Sequence, residues 1–257
     1  MEMIANYHTH TTRCGHASGT EMEYAEAAVR AGMKLLGFSD HTPQIFPGDY
    51  YSNMRMRPEM LEDYVQSVLA VREAHKGKLE VPLGVEAEFY PALFSDLLAL
   101  LRDHGIEYMI LGQHYLDNEM GSSYAGKATE DPEVLERYCD QSIEAMHTGL
   151  FSYFAHPDLI RFEGEDTIYR RHMRRLCRSA KECGVPLEIN LLGVRDERHY
   201  PRETFWEVAA EEGCTAILGV DAHSPETLLN TAAMRRGEEL ADRLGLRRVD
   251  FLELKKL

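Results

Sequence analysis

The sequence alternates short apolar runs with longer stretches in which apolar residues recur every three or four positions. The short runs predict β-strands, and the longer stretches predict amphipathic helices. We predict strands over residues 4–7, 35–39, 79–86, 108–112, 151–155, 186–190 and 216–220. We predict helices over residues 21–31, 58–75, 92–103, 131–147, 169–183, 203–212 and 225–244.

Strand–helix alternation with short links indicates parallel strands that are joined by right-handed crossovers. Seven such units predict an α/β fold with a closed or nearly closed barrel, and an open doubly wound sheet is the alternative. Two long insertions, residues 42–57 and 115–130, each follow a strand end, where barrel enzymes place substrate-binding loops. Because no linker, low-complexity tract or repeat interrupts residues 1–257, we expect one domain.

Charge and composition limit the classes of partner. A formal net charge of −15 argues against long nucleic acid, because binding it requires a basic surface. No segment approaches the ~20 uninterrupted apolar residues of a membrane-spanning helix, and the N-terminus lacks the pattern of a secretory signal. The five cysteines are scattered, which is typical of free thiols in a reducing compartment. We therefore expect a cytoplasmic location, and neither a membrane nor long nucleic acid as a partner.

Metal-binding residue types gather after the predicted strands. Every strand is followed by histidine, carboxylate or asparagine side chains, namely His8, His10, His16, Asp40, His41, Glu86, Glu88, His114, His156, Asp158, Asn190, Asp221 and His223. His8 and His10 are spaced to point to the same side of a strand, so both rings can reach one ion. In a barrel the carboxyl ends of all strands converge, so residues far apart in sequence can share a site.

The ligand types narrow the choice of metal. Imidazole with carboxylate favours Zn, Mn or Fe, whereas Mg or Ca prefers oxygen alone. Seven histidines exceed the needs of one ion and fit two or three divalent ions, a cluster that activates water and clamps a phosphoryl group. Arg161, Arg195 and Arg198 follow the fifth and sixth strands, and each either binds phosphate or is plain surface charge. We interpret Cys14 as a loop residue rather than a ligand.

Together these residues resemble the PHP (polymerase and histidinol phosphatase) superfamily. The matching segments follow the order of the family's motifs over nearly the whole chain: residues 7–10, 14–16, 38–43, 84–88, 112–115, 155–158 and 220–223. Similarity to the monofunctional histidinol-phosphate phosphatase branch lies in residues 39–43, 54–56, 188–190 with Gly193, and 200–201. Val220 departs from the serine that the family often has there, but a valine at this position is no ligand.

The resemblance implies a distorted, TIM-like (β/α)7 barrel with a trinuclear metal site at the C-terminal ends of its strands. The first ion would be held by His8, His10, Glu86 and Asp221. The second would be held by His16, His41 and His223, and the third by Glu86, His114 and His156. Glu86 would therefore bridge two ions.

The implied reaction is one-step hydrolysis of a phosphate monoester, with histidinol phosphate of histidine biosynthesis as the first candidate. A metal-bridging hydroxide would be the nucleophile. Arg161 and Arg195 are expected to hold the phosphate, and Asp40 or His223 to serve in acid–base or supporting roles. Two acidic loop residues are expected to meet the ammonium group of this small phosphorylated substrate: Asp117 and Glu119.

Three alternatives stay open. The same chemistry could act on another small phosphorylated metabolite, a nucleotide or an oligonucleotide. An amidohydrolase-like deacylase also begins with His-x-His, but such enzymes usually need a bridging lysine after the fourth strand, where this chain has His114. A non-catalytic module that kept the fold is disfavoured by the complete ligand set.

Overall fold

The computed structural model describes residues 3–257, and a ring of parallel strands forms its centre. β1 pairs with β2, and the strands from β3 to β8 pair in chain order. The strands are β1 (Ala5–Asn6), β2 (Leu35–Leu36), β3 (Gly84–Ala87), β4 (Tyr108–Leu111), β5 (Phe151–Phe154), β6 (Leu187–Asn190), β7 (Thr215–Gly219) and β8 (Arg247–Arg248).

Isolated parallel bridges close this ring. Phe38 pairs with Leu83, which joins the extension of β2 to the segment before β3. Thr9 pairs with Ala222, which joins the residues after β1 to those after β7. The predicted seven-stranded barrel is therefore confirmed, and the open doubly wound sheet is excluded.

The helices surround the ring with their apolar faces turned inward. None within residues 3–257 is long and apolar enough to cross a membrane. The α-helices are α1 (Glu21–Arg30), α2 (Leu61–Ala74), α3 (Phe94–Asp103), α4 (Pro132–His147), α5 (Asp166–Glu182), α6 (Leu191–Arg195), α7 (Glu203–Glu212) and α8 (Thr231–Arg243). Short 3-10 turns cover Thr12–Cys14, Pro58–Met60 and Pro225–Leu229.

Two elements are absent from the sequence prediction. β8 has only two residues and pairs with the beginning of β7. Two residues are too few for an alternation of apolar and polar positions to predict a strand. α6 follows β6 without a loop, because the Asn190 side chain accepts a hydrogen bond from the Gly193 amide (2.9 Å) and caps the helix. The predicted helix over residues 225–244 is also divided, since Asn230 caps α8 after the 3-10 turn.

The N-terminal end of the barrel is filled by side chains. A compact cluster there consists of Ala5, Tyr7, Leu35, Tyr108, Ile110, Tyr153, Ala155 and Ile217. The C-terminal tail covers this end, where Leu252 and Leu254 pack against the cluster. The amide of Leu252 donates to the Tyr7 hydroxyl (3.1 Å). Open space inside the ring is therefore left at the opposite, C-terminal end of the strands.

Candidate metal centre

All nine predicted ligands meet at the C-terminal ends of the strands. They are His8, His10, His16, His41, Glu86, His114, His156, Asp221 and His223, and all but His8 line one cavity of about 380 Å³. The rings lie close together, as shown by the 4.1 Å separation of the stacked His10 and His223 ring centres. His16 is exposed to solvent, whereas most of the other side chains are buried.

Four of these side chains enclose a point that fits one cation. The Nε2 atoms of His8 and His10 lie 3.1–3.5 Å from Glu86 Oε2 and Asp221 Oδ1. Tetrahedral ligands at about 2.0–2.1 Å from Zn²⁺ lie roughly 3.3–3.4 Å apart, so the spacing matches such an ion. Among the described residues, the buried atoms His8 Nε2, Glu86 Oε2 and Asp221 Oδ1 face other side chains of the nine-ligand set rather than ordinary donors elsewhere in the chain. Buried polar atoms are normally satisfied by such donors, so this set fits a cation.

The other two sets adjoin the first. Possible ligand atoms of His16, His41 and His223 all lie within 4.8 Å of one another. Glu86 Oε1 lies 2.9 Å from His156 Nε2 and 3.7 Å from His114 Nε2. Because its Oε2 faces the first set and its Oε1 faces this one, the Glu86 carboxylate is shared between the two sets.

Hydrogen bonds at Nδ1 fix the orientation of the rings. His8 bonds to Glu188 (2.8 Å), His114 to Glu88 (3.0 Å) and His10 to Asp40 (3.3 Å). The Nδ1 atoms of His16 and His223 each lie 3.0 Å from a backbone carbonyl oxygen, which can only accept. These contacts leave Nε2 of these five rings free to face a cation, the usual arrangement around metal-binding histidines, whereas His41 faces Glu86 Oε2 through its Nδ1 (3.0 Å).

The charges suit cation binding as well. Burial opposes ionisation of Glu86 and Asp221, but the surrounding histidines outweigh it and hold both pKa values well below their usual range. Burial and the neighbouring His10 lower the pKa of His223 to about 3. Burial also holds the pKa of His41 well below its usual value. These two anions and two neutral imidazoles are in the forms that bind metals. Burial opposes charge on His8 and His10, but neighbouring carboxylates outweigh it and raise the pKa of both rings, so an ion would displace their protons.

The backbone makes room for the carboxylates. A Cβ atom at Gly112 would lie 2.0 Å from Glu86 Oε1, and one at Gly219 would lie 1.7 Å from Glu188 Oε1. Only glycine therefore lets these two carboxylates cross the neighbouring strand. His156 (φ 32°) and Asp221 (φ 51°) both adopt positive φ, a costly conformation for non-glycine residues that tends to occur at functional sites.

Comparison with known proteins shows the family of the chain. The family model described as the PHP domain matches residues 6–191, which is more than half of the chain. The chain belongs to the PHP domain family. The PHP chain is similar to the probable histidinol-phosphatase of Deinococcus radiodurans, at 31% identity over 242 residues and 88% of each chain. It is also similar to the histidinol-phosphatase of Bacillus subtilis, at 30% identity over 251 residues, 84% of this chain and 92% of that one.

A solved structure has the same fold. The histidinol phosphate phosphatase of Lactococcus lactis, complexed with Zn, L-histidinol and phosphate, superposes with a TM-score of 0.76 at 16% identity. The match covers 98% of this PHP chain and 99% of that chain. At this identity the likeness concerns the fold, a PHP barrel.

The remaining wall of the PHP cavity suits an organic phosphate. It is formed by Met54, Tyr124, Leu159, Leu192, Arg195, Asp196, Arg198 and Tyr200. Arg195 contacts Asp196 (2.7 Å), and Arg198 Nη1 donates to the Tyr200 hydroxyl (2.8 Å). Of the sequence candidates for phosphate binding, the structure places Arg195 and Arg198 at this wall.

Three predicted residues lie elsewhere in the PHP domain. Arg161 is 46% exposed and pairs with Glu163 outside the cavity. Asp117 is 69% exposed and pairs with Arg137 on the surface. Glu119 is buried, and its carboxylate pairs with Arg55 (2.9 Å) instead of facing the cavity. The structure does not bring Arg161, Asp117 and Glu119 to the lining of this cavity, and Asp196 is the acidic residue at the wall instead.

Asp40 and Glu188 both support the metal-binding rings from behind. Asp40 is buried, accepts from the Thr11 hydroxyl and the His41 amide, and contacts His10, so of its two predicted roles the supporting one fits. Glu188, which is not among the predicted site residues, bonds to His8, the His156 amide and Asn190. Its signal is a lone carboxylate two residues before Asn190 in an apolar strand, which places both on the same face.

Proposed function

We propose that the chain is a metal-dependent phosphate-monoester hydrolase, a histidinol-phosphatase, and that residues 1–257 act as one PHP domain. The observation that carries the proposal is the division of one cavity into two walls. One wall consists of histidines and carboxylates, and the other has two arginines, a carboxylate and aromatic rings. The Deinococcus and Bacillus relatives support the substrate. Five free cysteines agree with a cytoplasmic location.

The proposed cofactor is two to three divalent ions of Zn, Mn or Fe. The sets are those described above: His8, His10, Glu86 and Asp221; His16, His41 and His223; and Glu86, His114 and His156. Bound ions of this kind polarise phosphoryl oxygens and lower the pKa of water to near neutrality. His223 fits a ligand better than a general acid, because its ring is neutral with a pKa of about 3.

The chain's own residues bind and orient the substrate. Arg195 and Arg198 present guanidinium groups to the phosphate, which they can hold through several charged hydrogen bonds. Asp196 lies beside them and meets the ammonium group of histidinol phosphate. Tyr124 and Tyr200 line the same wall and exclude water from the organic part of the substrate.

A substrate panel tests the assignment. Purified protein supplied with Zn or Mn is assayed on histidinol phosphate, a generic aryl phosphate, other small phosphorylated metabolites and mononucleotides. We expect histidinol phosphate to have the highest kcat/KM. A rate no better than that on the aryl phosphate would reject this substrate, and preference for a nucleotide would favour the alternative phosphoesterase.

A matched pair of variants tests the placement of the ammonium group. Asp196→Asn is expected to raise KM for histidinol phosphate by roughly tenfold or more, the usual cost of one charged contact, and to change the aryl phosphate little. Asp117→Asn, on the exposed pair with Arg137, serves as the control. Equal effects on both substrates would contradict the assignment of Asp196.

Metal analysis tests the cofactor. Protein prepared without chelator is expected to contain more than one equivalent of Zn, Mn or Fe per chain. Less than one equivalent in active protein would reject the multinuclear centre.

A further inference from the structure

Arg55 lies buried where the two long loops of the barrel meet. The loops are residues 42–57 and 115–130, and they supply Met54 and Tyr124 to the cavity wall. Only 1% of the Arg55 side chain is exposed. Its guanidinium also donates to the Thr42 carbonyl (3.3 Å) at the beginning of its own loop. Arginine is almost never buried to this extent unless it is paired.

The partners of Arg55 connect the loops to the metal centre. Arg55 Nη2 lies 2.9 Å from Glu119 Oε1 in the second loop and 2.7 Å from Glu88 Oε2 after β3. Glu119 Oε1 also accepts from the Ser52 hydroxyl (2.8 Å), so the two loops are joined twice. The other oxygen of Glu88 bonds to Nδ1 of His114 (3.0 Å). An unbroken buried chain therefore runs from both loops to His114.

The charges of this chain do not balance by themselves. Glu88 and Glu119 carry two negative charges, and Arg55 carries one positive charge. A buried surplus charge is costly unless an opposite charge completes it. The next basic group of the chain is the His114 ring: burial lowers its pKa, but Glu86 and Glu88 outweigh burial and raise it. Either a proton on this ring or a cation on its Nε2, on the far side from Glu88, supplies the balancing charge. Loop packing and cation binding should then stabilise each other, since such coupling is reciprocal.

We propose that Arg55 is a positioning residue that couples the closure of both loops to cation binding at His114. This inference rests on the proposed metal centre. Arg55 touches neither the cavity nor a bound group, so it acts through Glu88 and the His114 ring. It predicts that cation binding changes the mobility of segments that hold no proposed ligand.

Hydrogen–deuterium exchange of the full chain, with and without Zn²⁺, measures this coupling. In the unmodified protein, Zn²⁺ should slow exchange in residues 42–57 and 115–130 together. Arg55→Lys keeps the charge but loses the planar fork, and it should reduce that protection and weaken binding of one ion by roughly 10–100-fold in a chelator competition. Arg57→Gln, an exposed position on the same loop that contacts the Tyr51 ring, is the control and should change neither measurement.

The variant Glu119→Gln distinguishes the proposed coupling from a purely structural role of the buried Arg55, Glu88 and Glu119 side chains. The amide keeps an acceptor for Ser52 and Arg55, but the surplus negative charge is gone. Protection of both loops in the metal-free protein should therefore rise toward that of the metal-loaded protein, while affinity for one ion falls. This variant also keeps the test available if Arg55→Lys does not fold.

The outcomes separate the two proposals. Metal binding and histidinol phosphate hydrolysis with exchange in both loops unaffected by Zn²⁺ would overturn the coupling and leave the proposed function standing. Wild-type metal affinity and protection in both Arg55→Lys and Glu119→Gln would overturn it as well. If the protein binds no metal, both proposals fail together.

Discussion

The two ends of the barrel differ in how they satisfy buried polar groups. At the N-terminal end, the Tyr108 hydroxyl lies 3.0 Å from the carbonyl oxygens of both Tyr7 and Phe38. The Tyr7 hydroxyl in turn accepts from the Leu252 amide of the tail. The chain alone satisfies these buried groups, so this end is complete without a ligand.

The C-terminal end is incomplete by the same measure. His8 Nε2, Glu86 Oε2 and Asp221 Oδ1 are buried side by side, and the groups that face them are histidines and carboxylates of the same set. A folded chain concentrates buried titratable groups in this way only where function requires it. We therefore expect substitutions at the C-terminal end to weaken metal binding and turnover. Substitutions at the N-terminal end should instead lower the free energy of unfolding.

The largest loss of turnover is expected for Glu86→Gln. The amide can no longer serve two ions through two anionic oxygens, and such charge stabilisation is worth several kcal/mol, so kcat should fall by roughly 10³-fold or more. Turnover of histidinol phosphate and metal content by mass spectrometry measure it. Glu107→Gln, which alters an exposed pair with Arg72 toward the N-terminal end, is the control. Retention of more than a tenth of the activity would contradict a bridging role.

A smaller loss is expected for Glu188→Gln behind His8. An amide in place of the carboxylate weakens the bond that holds the His8 ring with Nε2 facing the ion, and changes of this kind typically cost 10–100-fold in metal affinity. Competition with a chelator measures the affinity. Glu182→Gln, exposed at the end of α5, should behave as the unmodified protein does. If both variants bind metal equally well, Glu188 does not orient the ring.

Protons should compete with metal ions for the histidines at the C-terminal end. In the metal-free protein burial opposes protonation of His10, but Asp221 and Asp40 outweigh it and raise the pKa of its ring to about 9. A metal ion binds only the neutral ring, so below about pH 9 it must displace this proton. Metal affinity should therefore fall about tenfold for each unit by which the pH is lowered below 9. Zn²⁺ titration calorimetry in buffers of different protonation enthalpy measures the released protons. Binding without proton release at neutral pH would contradict this assignment.

The sequence was sufficient to predict the barrel and the end of it at which the candidate metal-binding side chains meet. Helices and strands alternate, and the carboxyl ends of parallel strands must converge, so His8 and Asp221 could be assigned to one site without any distance information. Alternation did not decide closure of the ring, because an open doubly wound sheet alternates in the same way; the isolated bridges decide it. The strands are shorter than predicted, because the ring closes through isolated bridges such as Thr9–Ala222 rather than through long ladders.

Loop residues could not be assigned in this way. Arg161 and Arg198 both follow strands, but the path of each loop decides which one reaches the cavity. The short helix α6 leads the chain back along the cavity wall, whereas Arg161 pairs with Glu163 at the surface. The burial of Glu119 could not be predicted, because its partner, Arg55, lies 64 positions away in another loop. Pairing between loops depends on tertiary packing, which has no local pattern.

The smallest change in turnover is expected for Tyr108→Phe at the N-terminal end. Gly84 and Gly37 leave room for the ring, so phenylalanine fits, but the Tyr7 carbonyl oxygen loses the donor that satisfies it. An unsatisfied buried acceptor costs about 1–3 kcal/mol, so the free energy of unfolding should fall by that amount while kcat stays within about twofold. Urea denaturation and the phosphatase assay measure the two quantities, and Tyr50→Phe at an exposed position is the control. A loss of turnover comparable to that of Glu188→Gln would mean that the two ends of the barrel are not functionally separate.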